Sequence, residues 1–595
     1  MDKQLQDKLT ETIEQLKLLS LNDIDMNHMD PVVKMMMVAL LHETQKINDH
    51  IDSLRDRIEE RYCADFIPRQ EVEAMPAIAL IHPRIKPNKG NGFIPIGSGH
   101  TFSYKALERK QALSYIPLFS TMMLPYSDTI LMRQNNEYCK SVNMYKPNRL
   151  WLGIKTDVEI ESVRGITLMV KGNQGINPEH IYINDTSHEI DFVTAKDMEQ
   201  VEMAEPFDAQ QASGQFFSFL DTWKECLLNM KDASLLFLTD KTQNRDLFKP
   251  RSFPETFKKW LEDSTLDGFM GAPSVWLCLD FPEGYVVPDK CEVLLNVIPV
   301  VNVEVCSLML TQASPIAKLQ KQDDSFFLRI LETSTANHKL GFDMMNDEIL
   351  VRDFDASCYH DGDLYRDLRN LYNHFTDDYY AFIEYNDIKD GEALKQLRET
   401  INKIANNSSV REPNKKYKFD SGTYVMKNMK LKNPSLATKV SYLTTQGKIG
   451  NAPKEGDIME NKKLPAIEQK VSVVAAAAGG ADKASADERY ELLRYYSLTN
   501  DRLYTKMDID AFLRKEIMTE FGKDEFYRIF TKISIEGAGG NTKLQRGLYI
   551  DISFKDRKNY EKAIRLSFDK LMQQRITDKS CIAMPIIVKL SNLEG

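Results

Sequence analysis

The run DPVVKMMMVALLHETQKINDHIDSLRDRIEERY, residues 30–62, constrains the fold more than any other stretch of the chain. Asp30 suits a helix N-cap, Pro31 suits the first helical position, and the next helix breaker is Pro68. Apolar side chains recur at Val33, Met37, Leu40, Ile47, Ile51, Leu54 and Ile58, and Thr44 completes an alternation of four- and three-residue steps. This spacing is a heptad seam, because a repeat of about 3.5 residues keeps one narrow stripe facing a partner helix. The pattern predicts one helix over residues 31–64, roughly 50 Å long at about 1.5 Å per residue. Its stripe can be covered by the chain's own core or by helices of other chains. The strict repeat favours a bundle with other chains, in which the polar Thr44 sets register. The eight seam residues are therefore the candidate partner-binding site. Met36 and Leu41 widen the apolar face, either as core or as an adaptable partner surface.

A shorter amphipathic pattern at Leu5, Leu9, Ile13, Leu16 and Leu19 precedes the seam, so residues 1–67 are expected to be N-terminal helices of a core bundle. From Pro76 onward short β-prone runs alternate with Gly, Pro and Asn, and residues 68–405 are expected to form β-rich, sandwich-like middle domains. Residues 406–487 hold few large apolar side chains and end in VVAAAAGGADKASADE, which predicts a partly disordered linker, either without structure of its own or with short strands added to neighbouring sheets. Residues 488–595 read as helices, two strands, a helix and a last strand. That order predicts a small two-layer α+β domain with helices on one face of an antiparallel sheet. The fold class expected for the whole chain is multi-domain α+β.

Charge and composition exclude several functions. A formal net charge of -10 disfavours nucleic-acid binding through bulk positive charge. No apolar run reaches the length of about 18 residues that spans a bilayer. The opening MDKQLQDKLTETIEQL is too charged for a secretory signal, so a cytoplasmic protein without direct membrane insertion is expected. The 8 cysteines include no CxxC pair, which predicts free thiols rather than disulfides or zinc sites. Catalytic candidates are weak. Cys358, His360, Asp361 and Asp363 are ligand-type residues, but Asp-Gly-Asp is a common turn and no second cluster accompanies them. Ser98 beside His100 lacks a nucleophile elbow and reads as a β-turn between Gly97 and Gly99. EGAGGNTK at 536–543 lacks the Lys-Ser/Thr ending of a phosphate loop and reads as a hairpin loop. The chain is expected to be no enzyme, with no metal and no cofactor. The sequons at Asn184, Asn406 and Asn407 are read as chance matches.

Several blocks, taken in order, resemble the TssF (VasA, ImpG) family of type VI secretion baseplate subunits. Asp30-Pro31 opens the long helix, and Pro76 stands in MPAIALI, which starts 45 residues after Asp30. FIPIGSGHTF, YIPLFSTMMLPYSD and LLNVIPVVNVEV follow, with Pro299, Val300, Val301 and Asn302 as the sharpest correspondence, and LLRYYSLTNDRLY comes last. Residues 1–29 lack the family's usual start, the Phe-Pro common inside the long helix is absent, and Ile298 stands where Thr is usual. The resemblance is therefore to a divergent branch. It implies a structural wedge component of a baseplate docked at the inner membrane, with a second copy of itself and a TssG-like subunit as partners on the helical seam. TssK-like, TssE-like and spike (VgrG-like) proteins are further implied partners. The alternatives are a wedge protein of a phage tail or other contractile particle, and a metal-dependent enzyme using the Cys358–Asp363 cluster.

Overall fold

The computed structural model describes residues 69–86, most of 92–195 and 230–354, 422–427, most of 437–538, and 545–593, with isolated residues elsewhere. The chain divides into two compact units, one of Gln70–Leu350 with Met426–Ala484 and the other containing Ser485–Gly595. In chain order the strands begin with β1 (Ile78–His82), β2 (Ile94–Ile96), β3 (Phe102–Tyr104), β4 (Leu113–Pro117), β5 (Thr121–Met123) and β6 (Asp128–Arg133). They continue with β7 (Arg149–Lys155), β8 (Thr167–Lys171), β9 (His180–Ile183), β10 (Phe192–Thr194), β11 (Ala233–Leu238), β12 (Val275–Asp280) and β13 (Glu292–Leu295). Next are β14 (Ile298–Val301), β15 (Glu304–Leu310), β16 (Ile316–Lys318), β17 (Phe326–Thr335), β18 (His338–Leu340), β19 (Ile349–Phe354) and β20 (Gly422–Lys427). The last are β21 (Thr438–Thr445), β22 (Ile458–Asn461), β23 (Lys470–Ala478), β24 (Ile529–Ala538), β25 (Gln545–Phe554) and β26 (Ile586–Asn592). The β-rich character expected of the middle region is what the fold shows.

Two four-stranded sheets, ordered β6-β7-β12-β9 and β10-β11-β8-β13, share one apolar core. Alternation along the strands builds it. Leu150, Leu152 and Ile154 of β7 and Val275, Leu277 and Leu279 of β12 point into this core, while Trp151, Trp276 and Cys278 point to the opposite face. Helix α1 (Glu255–Trp260) covers that opposite face, where Phe257 meets Trp151 edge-on at 4.9 Å. The outer face of the second sheet, at Met169, Leu235 and Phe237, packs with Ile78, Leu80 and Val301.

Those last residues belong to a closed barrel ordered β1-β14-β4-β3-β22-β23, with β23 returning to β1. β1 is buried along its whole length because its two faces serve two cores. Ile78 and Leu80 face the neighbouring sheet, and Ala79 and Ile81 fill the barrel with Phe102, Tyr115, Ile298 and Val300. A fourth sheet of this unit runs β15-β21-β17-β18.

The expected linker at 406–487 is corrected here over its described part. Residues 437–478 supply β21, β22 and β23, and two of these are barrel staves. The small apolar side chains of β23 are buried on both faces of the stave: Val471, Val473 and Ala477 line the barrel interior, and Val474 and Ala475 pack on its outer side. Ala475, Ala477 and Ala478 are buried, and β1 lies beside them with Ile78 opposite Ala478 and Leu80 opposite Ala475.

The C-terminal part of the other unit runs α2 (Ala486–Thr499), α3 (Lys506–Phe521), α4 (Lys523–Phe526), β24, β25, α5 (Arg557–Arg565), α6 (Phe568–Lys579) and β26. Two capping boxes start its long helices: Ser485 with Glu488, and Thr505 with Asp508. Asn500, at φ 48°, takes the left-handed conformation that ends α2. The three-stranded sheet is ordered β24-β25-β26. β24 and β25 pair antiparallel as a hairpin around 539–544, as read for EGAGGNTK, but β25 and β26 are parallel. The expectation of a purely antiparallel sheet is thus corrected. Parallel neighbours need a crossover, and α5 and α6 provide it.

Within this unit a charged group sits in the apolar core. Glu516 is fully buried and accepts a hydrogen bond from Arg575, while the Lys515 ammonium lies 3.4 Å away and over the Tyr495 ring. Burial pushes the Glu516 carboxyl up, but Arg575 and Lys515 outweigh it and hold it below the usual carboxylate range. We predict that Arg575→Ala destabilises this unit by about 3 kcal/mol, because it leaves a buried carboxylate short of its partner. Glu516→Gln in the same chain should recover part of the loss, as read by urea denaturation followed by tyrosine fluorescence.

Candidate functional site: the motif residues and the helical seam

Most of the motif blocks converge on the barrel. Pro76 is buried and directly follows Met75, which exchanges backbone hydrogen bonds with Ala481 at 2.8 and 2.9 Å. It enters β1 where the absent N–H breaks no ladder. β1 then runs antiparallel to β14, with Ile78 opposite Val301, Ala79 opposite Val300 and Leu80 opposite Pro299. Pro299 sits in an interior stave, a place that ordinarily rejects proline. Its carbonyl accepts from Leu118 N–H at 2.9 Å, so the N–H it lacks would also face the β4 side, where that ladder ends. The remaining blocks of this region supply β2 and β3, and β4 and β5. Between β2 and β3 the chain turns with His100 N–H donating to Gly97 O at 3.0 Å, the β-turn read from PIGSGHTF.

Asn302, just past β14, is fully buried and ties four segments together. Its N–H donates to Ala77 O at 2.7 Å and its Nδ2 to Ser114 O at 3.0 Å. Its Oδ1 accepts from Gln446 N–H at 3.2 Å and from Thr445 Oγ1 at 3.3 Å. Glycines let the chain come this close. A Cβ on Gly450 would lie 2.6 Å from Asn302 Oδ1, and one on Gly480 would lie 2.4 Å from Gly447 O. Asn451 completes the cluster by donating Nδ2 to Gly480 O at 2.8 Å and accepting Gly480 N–H at 2.9 Å. Tyr115 OH donates to Gly450 O at 2.6 Å, and burial pushes its phenol up so that it stays a neutral donor. Asn302 stands out in the sequence through its motif, whereas Gly450, Asn451 and Gly480 do not. Their signal was the glycine spacing in GKIGN and GGAD, inside the stretch taken for a linker.

Of the seam residues, only Leu40 lies within the described residues; it is helical and 65% exposed. Asp30, Pro31, Val33, Met37, Thr44, Ile47, Ile51, Leu54 and Ile58 lie outside them. Further along, Tyr62 and Phe66 are helical, exposed, and stacked with ring centroids 5.9 Å apart. LLRYYSLTNDRLY supplies most of α2 and the turn after it, where Tyr495 OH donates to Asp501 Oδ1 at 2.8 Å.

Cys358, His360, Asp361, Asp363 and Ser98 lie outside the described residues. Among the described residues no group of three or more His, Cys, Asp or Glu side chains could hold a metal ion, and no helix is long and apolar enough to cross a membrane. Cys139, Cys278, Cys291 and Cys581 are free thiols. Burial pushes the Cys291 thiol up to about 11 and the Cys278 thiol higher still, the opposite of an activated nucleophile. Asn184 has its side chain committed inside the fold, donating to Leu247 O and Lys249 O and accepting from Trp276 N–H.

No protein-family model matches the sequence, and no curated protein matches it. Among solved structures, the chain is similar to a chain of the type VI secretion system TssK-TssF-TssG baseplate subcomplex, at 9% identity and a TM-score of 0.40, over 94% of this chain and 96% of that one. It is also similar to a chain of the anti-feeding prophage baseplate, at 9% identity and a TM-score of 0.26, over 98% of this chain and 70% of that one. A chain of the baseplate complex from the type VI secretion system aligns at 9% identity and a TM-score of 0.30, over 98% and 92%. All three neighbours are chains of baseplate assemblies.

Two predictions follow from the barrel's geometry. Asn302→Ala should cost about 2 kcal/mol, because it leaves the buried Gln446 N–H without its acceptor and the half-buried Ser114 carbonyl without its donor. Gly450→Ala should be at least as damaging, and thermal unfolding of the full chain reads both. The second concerns His82 of β1, which is 6% exposed with Nε2 3.2 Å from Tyr126 OH. Burial, helped by Arg84, lowers its pKa to about 4. The unfolded chain therefore takes up this proton first as pH falls from about 6.5. Stability is full above that value and falls by about 3 kcal/mol by pH 4. His82→Gln should remove this part of the slope, measured as the variant-minus-wild-type difference in denaturation free energy across that range.

Proposed function

We propose that the chain is a structural wedge component of a type VI secretion baseplate and not an enzyme. The observation that carries this reading is the meeting of the motif blocks. MPAIALI and IPVVN, far apart in sequence, are adjacent staves, and of the two blocks between them YIPLFSTMMLPYSD supplies the end of β4 of the same barrel while FIPIGSGHTF reaches it at Phe102 of β3. A set of weak motifs that converge on one structural element is better explained by shared ancestry of that element than by chance. The division expected from the sequence, helices at 1–67, a β-rich wing and a C-terminal α+β domain, is the one such a part would need.

In this proposal the helix at 31–64 packs against the same helix of a second copy and against a TssG-like subunit. The driving force is burial of the seam stripe, at about 25 cal/mol per Å² of apolar area. Leu40, exposed in the single chain, is among the residues this assembly would cover. TssK-like, TssE-like and VgrG-like proteins are the further partners, and the place of action is the cytoplasmic face of the inner membrane. No cofactor or metal takes part.

Replacing Leu40, Ile47 and Leu54 together by Asp should abolish co-purification with a TssG-like subunit expressed alongside. The thermal transition of the β-rich unit should stay within a degree or two of wild type. Undiminished complex formation by this variant would defeat the proposal.

A further inference from the structure

We propose that the free edge of β24 is a self-association surface, on which two copies of this chain pair β24 against β24 antiparallel about a two-fold axis at Ser534. The proposal stands apart from the helical seam. β24 ends the strand order of its sheet, so among the described residues one side of it carries no strand. Lys555 N–H donates to Arg528 O at 3.1 Å, and the ladder with β25 continues in step from Ile529 to Ala538. Backbone groups of even-numbered residues therefore face β25, and those of Ile529, Thr531, Ile533 and Ile535 face the open edge. An open row of donors and acceptors this long is a template for another strand.

The occupant is a second copy because the strand is complementary to itself in one register. β24 reads IFTKISIEGA and carries two charges, Lys532 and Glu536. Antiparallel self-pairing sets them opposite each other only when Ser534 lies on the axis. Registers centred on Lys532 or on Glu536 set like charges face to face, which is destabilising. The Ser534 register also agrees with the backbone. It makes Ser534 a non-hydrogen-bonded pair and makes Ile533 of one copy and Ile535 of the other a hydrogen-bonded pair, as the open-edge groups require. Ile535 is 64% exposed, although Ile529 and Ile533 on the same face of the strand are buried. The pairing sets it beside Ile533 of the second copy.

The test is register-specific crosslinking of the full-length chain. In a non-hydrogen-bonded antiparallel pair the Cα atoms are about 4.5 Å apart, within the disulfide range of about 4.4 to 6.8 Å. Ser534→Cys should give at least a tenfold higher yield of covalent dimer under mild oxidation than wild type or Lys532→Cys. Lys532→Cys mixed with Glu536→Cys should crosslink, whereas Lys532→Cys alone should not. The Ser534→Cys dimer should persist in the chain carrying Asp at positions 40, 47 and 54, which separates this surface from the seam. Yields for Ser534→Cys no higher than for Lys532→Cys would overturn the proposal and make Lys532 a guard of an unpaired edge. So would loss of the dimer in the seam variant.

Discussion

The β-rich unit depends on the double pairing of β1. This short strand takes β14 on one edge and β23 on the other, and so closes a barrel from segments near residues 80, 300 and 470. Its side chains serve two cores at once, the barrel interior through Ala79 and Ile81 and the packed sheet through Ile78 and Leu80. None of its positions is therefore free to carry a polar side chain on an open face. The polar groups at one end of the closure are satisfied by Asn302 and Asn451, whose amides take the place of ladder bonds where the staves part. Closure across such sequence distances gains nothing until late in folding, since loop entropy is spent before the contacts form. The reward is a unit without exposed edges at its centre.

How much of this was legible depended on side-chain size. Strands with large alternating residues, such as RLWLGIK and VWLCLD, declared themselves, because Leu and Trp must sort to opposite faces. The staves β22 and β23 did not. KVSVVAAAA reads as low-complexity linker, yet it is a stave buried on both faces, with Ala477 in the barrel and Ala475 on its outer side. Parallel pairing of β26 was hidden for another reason: periodicity marks α5, α6 and β26 but says nothing about which way a strand enters a sheet. Asn302 stood out through its motif, while the glycines that receive it could be recognised only once the chain was folded. The seam was legible as a pattern, and Leu40 is the part of it that the described residues reach.

The chemistry of the described residues fits the structural role proposed above. The buried thiols Cys278 and Cys291 are held protonated, His82 is held neutral, and Tyr115 is held as a neutral donor in a structural hydrogen bond. Each perturbed group named here is perturbed chiefly by burial in a well-filled interior, not by a neighbour arranged to activate it. The Glu516, Arg575 and Lys515 cluster is the exception in strength, and its partners stabilise a charge rather than poise one for transfer.

The central claim is that the stripe along residues 31–64 is covered by other chains, while the barrel stands complete by itself. Hydrogen exchange, compared between the isolated chain and the chain purified within its native assembly, tests it most directly. The account predicts that amides of residues 31–64 gain strong protection on assembly, and that amides of β1 and β14 are equally slow in both states. Full protection of residues 31–64 in an isolated monomer, unchanged by assembly, would contradict it.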